Sequence, residues 1–216
     1  MADIFDEVSE ELKQDRLIQI WKKFSKYIIS FFVITILKIL SYKLFLNWSE
    51  KKLEASSQQF FTALEKLDNK KYEESFKIFL KSSNEPHEGY RVMSLFGLAE
   101  TNYKIGKIRE MALNYKNIYE DVNIGLYYRN LSRLLSVMKD NISSFEQQIN
   151  ILKPILNSPS KLQLLAAELE VILHIRSDNL KEAKTKLTSL LKRANISFEQ
   201  KSRLELINKI YYSNAE

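Results

Sequence analysis

Four short segments of the chain read alike: DNKKYEES (68–75), KIGKIREMA (104–112), DNISSFEQQ (140–148) and SDNLKEAK (177–184). Each sets polar turn residues before an apolar residue and the start of an amphipathic stretch. With Tyr72, Ile108, Phe145 and Leu180 taken as equivalent, the spacings are 36, 37 and 35 residues. Ile142 competes with Phe145 for the third position. A near-constant period of about 34 to 37 residues with a helix–turn–helix pattern is the signature of tetratricopeptide-type units. With 4 Gly and 3 Pro in 216 residues and no cysteine, the chain is predicted to be all-α with short turns and no disulfides.

The repeat residues fit the degenerate pattern of small residues at helix crossings and an aromatic packing knob. The first unit offers Ala63, Tyr72, Ser75, Phe79, Ser82 and Pro86, the second Leu98, Ala99, Tyr103, Gly106 and Ala112, and the last Ala183, Leu187 and Leu190. NISFEQKSRLELINKIYY then pairs Ser197 with Gln200 as a capping box opening a final helix, as a solenoid requires to cover its last hairpin. The expected fold is a right-handed superhelix of about four hairpins with a C-terminal cap over residues 49–216. A general all-α bundle is the plainer alternative.

The first fifty residues have a different character. Residues 1–26 carry Ile4, Val8 and Leu12 on a four-residue step, then Ile20, Trp21 and Phe24, with acids early and bases late, an order that suits the helix dipole. Six carboxylates make the segment unlike a secretory leader. In residues 27–48, YIISFFVITILKILSYKLFLNW, thirteen of the twenty residues from Tyr27 to Leu46 are Ile, Leu, Phe or Val. Their insertion free energies sum to about −6 kcal/mol, against about 2.5–3.5 kcal/mol for a Lys at mid-membrane. An uncleaved transmembrane helix is therefore expected over 27–48, with a buried core helix as the soluble alternative.

Trp21 and Trp48 stand twenty-seven residues apart, about 40 Å along a helix, where interfacial anchors of a bilayer belong. Lys22, Lys23 and Lys26 crowd the first boundary and favour a cytoplasmic N-terminus. Lys38 interrupts the run. It either snorkels to the headgroups or joins Thr35, Ser41 and Tyr42 in a polar stripe for a partner helix.

The remaining chemistry is sparse. The net charge of +6 is dispersed, with no Lys/Arg block to track phosphates, so nucleic acid is not an expected partner. Gly89, Gly97, Gly106 and Gly125 form no phosphate loop, and there is no Gly-Lys-Ser/Thr. Glu85, His87 and Glu88 are too few and too local to close a metal shell, and His174 reads as a core residue. The expectation is a non-enzyme without cofactor, metal or small-molecule substrate. The best candidate for polypeptide binding is NIGLYYRNLSRLL, where Tyr127, Tyr128, Arg129 and Arg133 would offer stacking and anion contacts. The alternative packs one tyrosine in the inter-repeat core and turns the arginines to solvent.

The DIFDEVSEEL opening, the Trp-Lys-Lys, the single apolar span, the degenerate hairpins and the short capping helix together resemble the bacterial ancillary SecYEG translocon subunit family. The resemblance implies a single-pass inner-membrane protein with a cytoplasmic N-terminus and a periplasmic repeat domain. Its expected partners are the SecYEG translocon and periplasmic chaperones, with chaperone or substrate hand-over as the task. A membrane-tethered scaffold for another envelope complex is the second expectation.

Overall fold

The computed structural model describes residues 2–84 and 88–212, apart from the side chains of Glu88 and of residues 2–17, 19, 20, 22, 24, 25, 28, 29 and 32. Among the described residues the chain is entirely helical. The helices are α1 (Ala2–Asp68), α2 (Tyr72–Ser82), α3 (Glu88–Lys104), α4 (Ile108–Glu120), α5 (Leu126–Lys139), α6 (Phe145–Leu156), α7 (Gln163–Arg176), α8 (Leu180–Leu191) and α9 (Phe198–Tyr212). The chain divides into two compact units, Met1–Ala55 and Ser56–Glu216.

In the second unit the end of α1 pairs with α2, and α3 with α4, α5 with α6 and α7 with α8 form three further hairpins, with α9 packed on α8. Contacts run mainly between consecutive helices, and α3 also meets α5. Such nearest-neighbour packing is what a solenoid requires, and an up-and-down bundle shares it. Tyr72, Ile108, Phe145 and Leu180 each begin the second helix of a hairpin, which fixes Phe145 rather than Ile142 as the third equivalent.

The recurring turn has a definite geometry. Lys70, Gly106 and Asp178, each two residues before the second helix, adopt φ of 59°, 78° and 58°. Around each left-handed residue the same two backbone bonds close. Lys71 N–H donates to Lys66 and Lys70 N–H to Leu67; Lys107 to Asn102 and Gly106 to Tyr103; Asn179 to His174 and Asp178 to Ile175. These are the paired i→i−5 and i→i−3 bonds that satisfy the orphan carbonyls of a helix end.

The third hairpin departs from this. Asp140 accepts from the N–H groups of Ile142 and Ser143, and Ser144 with Gln147 forms a capping box that opens α6. A side-chain scaffold replaces the left-handed residue there, at the cost of a longer turn.

Packing repeats with the turns. Three residues into each second helix stand Ser75, Met111, Gln148 and Ala183, and seven residues in stand Phe79, Tyr115, Leu152 and Leu187, all buried. On the first helices Ala63, Ala99, Leu134 and Val171, each five residues from the helix end, are buried. The spacing places one apolar stripe per helix against its partner. Polar ties cross the stack where small residues let backbones approach: Ser75 Oγ donates to the Ala63 carbonyl at 2.8 Å, and Ser132 Oγ to that of Tyr115 at 2.7 Å.

The second compact unit begins at Ser56, and residues 49–55 continue α1 without a break. The structure alters the two readings of residues 27–48. Among the described residues no helix is long and apolar enough to cross a membrane, so the span expected at 27–48 is not met there. That run includes Ile28, Ile29 and Phe32, whose side chains lie outside the described residues. A buried core helix is not met either: every residue from Val33 to Trp48 is exposed within the chain. The amphipathic face expected in residues 1–26 falls largely on side chains outside the described set.

Candidate functional site

The middle helices of the stack are covered on two sides and free on a third. On α5, Asn130, Ser132, Leu134, Ser136 and Val137 are buried, so that helix is packed from both flanks. Between the flanks runs a stripe at steps of three and four residues: Tyr128, Leu131, Leu135 and Met138. Leu131 and Leu135 are half-buried, whereas Tyr128 and Met138 are 45% and 54% exposed.

Met138 forms one wall of an apolar groove of about 260 Å³ between α5, α7 and α9, with Leu165, Leu169 and Ile172 opposite it and Arg203 at its end. Met138 also lines a second, more polar cavity of about 520 Å³ beside the long third turn, shared with Tyr103, Phe145 and Arg176. A flexible thioether at the junction of two depressions suits an adaptable apolar contact.

The groove's far end is held by a charge cluster. Glu168 is 7% exposed and accepts two bonds from Arg203, Nε at 2.7 Å and an Nη at 2.8 Å, and a third from Gln200 at 3.1 Å. Burial of a carboxylate is tolerable only with such complete pairing. The cluster fastens α9 to α7 and so fixes that wall. At the other side Lys139 joins Glu100 of α3 in an ion pair and lies 4.4 Å from the Tyr103 ring centroid, tying α5 to α3.

The four residues expected to act together are split between two faces of α5. Arg129 follows Tyr127 by two residues, about 200° around the helix. Tyr127 and Tyr128 are both exposed and meet edge to face at 5.6 Å. The expected core tyrosine is therefore not found, and neither are freely solvated arginines. Arg129 and Arg133 are half-buried, Arg133 lies over the Tyr119 ring at 4.8 Å, and Arg129 Nε is buried without a partner. Burial, followed by the charge of Arg129, lowers the pKa of Arg133.

In the first unit, Thr35 Oγ1 donates to the Phe31 carbonyl at 2.8 Å, so its hydroxyl is satisfied inside its own helix. Helical continuity places Thr35, Lys38, Ser41 and Tyr42 along one side, with Tyr42 63% exposed. Trp21 and Trp48 are 58% and 56% exposed, and Lys52 Nζ sits 3.9 Å from the Trp48 ring centroid. His174 is 7% exposed, edge to face with Phe145 at 4.9 Å. Glu85 and His87 lie outside the described residues; among those described, no group of three potential metal ligands converges.

Met138, Leu165 and Ile172 were not singled out by sequence. A signal was present in α7, where Leu164, Leu165, Leu169, Ile172 and Leu173 cover more of the helix than one packed stripe needs. No protein-family model, curated protein or solved structure matches the chain.

Proposed function

We propose that this chain is a non-enzymatic, membrane-anchored helical-repeat adaptor that assists protein translocation and chaperone or substrate hand-over at the bacterial inner membrane, with the SecYEG translocon and periplasmic chaperones as partners. Its hairpins form a tetratricopeptide-type right-handed superhelix in the periplasm, and its N-terminus is cytoplasmic. The observation that carries the adaptor reading is the apolar groove between α5, α7 and α9, with Met138 and Leu165 left 54% and 41% exposed. Grooves of this kind hold apolar side chains of a bound polypeptide. The anchor reading rests on the apolar sequence of 27–48 and on the exposure of every residue from Val33 to Trp48, an apolar surface far larger than a water-soluble helix leaves uncovered. Tethering raises the local concentration of a weakly binding groove, so no tight site is needed.

A reporter fused after Glu216 tests the topology, and mild-detergent capture of the intact protein tests the partner. Periplasmic reporter activity with enrichment of translocon subunits, reduced by Met138→Glu, is expected. Cytoplasmic activity overturns the export reading. Enrichment of another envelope complex without the translocon favours the alternative, a membrane-tethered assembly scaffold.

A further inference from the structure

We infer that Arg129 and Arg133 form a binding site for carboxylate side chains of an acidic polypeptide segment, separate from the apolar groove. The two guanidinium groups are one turn apart on α5, on the side that faces the end of α4. Neither makes a direct ion pair with a carboxylate among the described residues, although the Glu120 charge acts on Arg133. Glu120 also pairs with Lys116 at 3.8 Å. Two like charges, each half-buried and only partly offset by Glu120, disfavour the folded chain, an arrangement better suited to recognition than to support.

The chemistry of the missing partner follows from the groups present. Guanidinium is a planar fork that matches a carboxylate with two parallel hydrogen bonds. The Tyr119 ring beneath Arg133 leaves the guanidinium edge for such bonds, and Arg129 Nε is a buried donor with no acceptor. A carboxylate entering between the two guanidinium groups would meet the terminal N–H groups of both. A polypeptide is favoured over an anionic bilayer because these cations are recessed beside α4, whereas lipid headgroups are met by long cations that protrude. The site lies on a different side of α5 from Met138, so this inference stands whether or not the groove binds polypeptide.

The test uses the full chain in non-ionic detergent and a fluorescein-labelled decapeptide of alternating Glu and Ser, read by anisotropy, with the Gln–Ser peptide as its neutral control. The acidic peptide should bind about tenfold or more tightly than the neutral one, the scale of one charge-assisted hydrogen bond. Arg129→Gln and Arg133→Gln should each remove that preference, and Met138→Glu should not restore it in either variant. The thermal midpoint of Arg129→Gln should stay level or rise, because a repulsion is relieved, whereas a purely structural arginine would lower it. Equal binding of the two peptides by the wild-type chain overturns the inference without recourse to any variant. Undiminished preference in both variants overturns it too, as does arginine-dependent binding to phosphatidylglycerol vesicles without peptide binding.

Discussion

Gly97 of α3 lies against the ring of Phe79 of α2: a Cβ on Gly97 would stand 2.5 Å from Cε1 of Phe79. Phe79 is fully buried and also meets the Phe60 ring at 5.8 Å, so it has nowhere to retreat. Glycine at this position sets how closely the second hairpin stacks on the first. Gly97→Ala should destabilise the protein by about 1–3 kcal/mol, the usual penalty of overpacking a core. Gly89→Ala, in the same helix with nothing within 4 Å of the added carbon, should stabilise it by up to about 1 kcal/mol. Urea unfolding of the two variants should move the midpoint in opposite directions.

The left-handed turn residues predict a second pair of opposite effects. Lys70 and Asp178 hold φ of 59° and 58° without being glycine. Lys70→Gly should gain about 1 kcal/mol, since L-residues lose about that much in this region. Gly106→Ala should lose a similar amount although its added carbon meets no neighbour, because the cost lies in φ and not in space. Thermal midpoints in a common buffer would separate the two signs.

The cap on the stack depends on Glu168. Arg203→Ala leaves that carboxylate buried with one side-chain donor, Gln200, and should cost about 1.5–3 kcal/mol, the range for a hydrogen bond to a charged group. Arg203→Ala with Glu168→Leu should recover much of the loss, because a buried charge and its unpaired acceptors disappear together. A double-mutant cycle on chemical unfolding checks this, and additive losses would refute the coupling.

His174 introduces a pH dependence. Burial is the first cause lowering its pKa below the ordinary 6.5, followed by the nearby Lys186 charge, while Glu170 and Glu182 oppose the shift. The unfolded chain therefore binds the proton more readily than the folded one. Stability contributed by the neutral ring is present above about pH 6.5 and is lost as pH falls through the unfolded value toward the folded one. His174→Phe should flatten the thermal midpoint between about pH 5 and 7 relative to the wild-type chain. An unchanged slope would locate the dependence elsewhere.

Much of the fold was legible along the chain because its determinants are local. Tyr72, Ile108, Phe145 and Leu180 mark the second helices by sequence alone, since a polar turn followed by an apolar residue at helical spacing needs no distant partner. Ser197 announced the start of α9 in the same way, its Oγ accepting from the Gln200 N–H at 3.2 Å, while the Gln200 side chain donates to Leu164 and Glu168 of α7 rather than forming the expected capping box. The candidate site was read less well. Tyr127, Tyr128, Arg129 and Arg133 are contiguous in sequence, yet a helix turns about 100° per residue, so neighbours in the chain become strangers in space.

By itself, the sequence determined an all-α chain, the period of its hairpins, the residues that open each second helix, and an apolar run between residues 27 and 48. Those features follow from backbone dihedral preferences and from the period of apolar side chains, which neighbouring residues settle among themselves. Tertiary structure alone decided that the third turn is built on Asp140, that Gly97 is where two hairpins close on Phe79, and that Met138 faces a groove while Leu134 floors it. A helix in the middle of a stack is apolar on more than one side, and only its neighbours determine which apolar side remains uncovered.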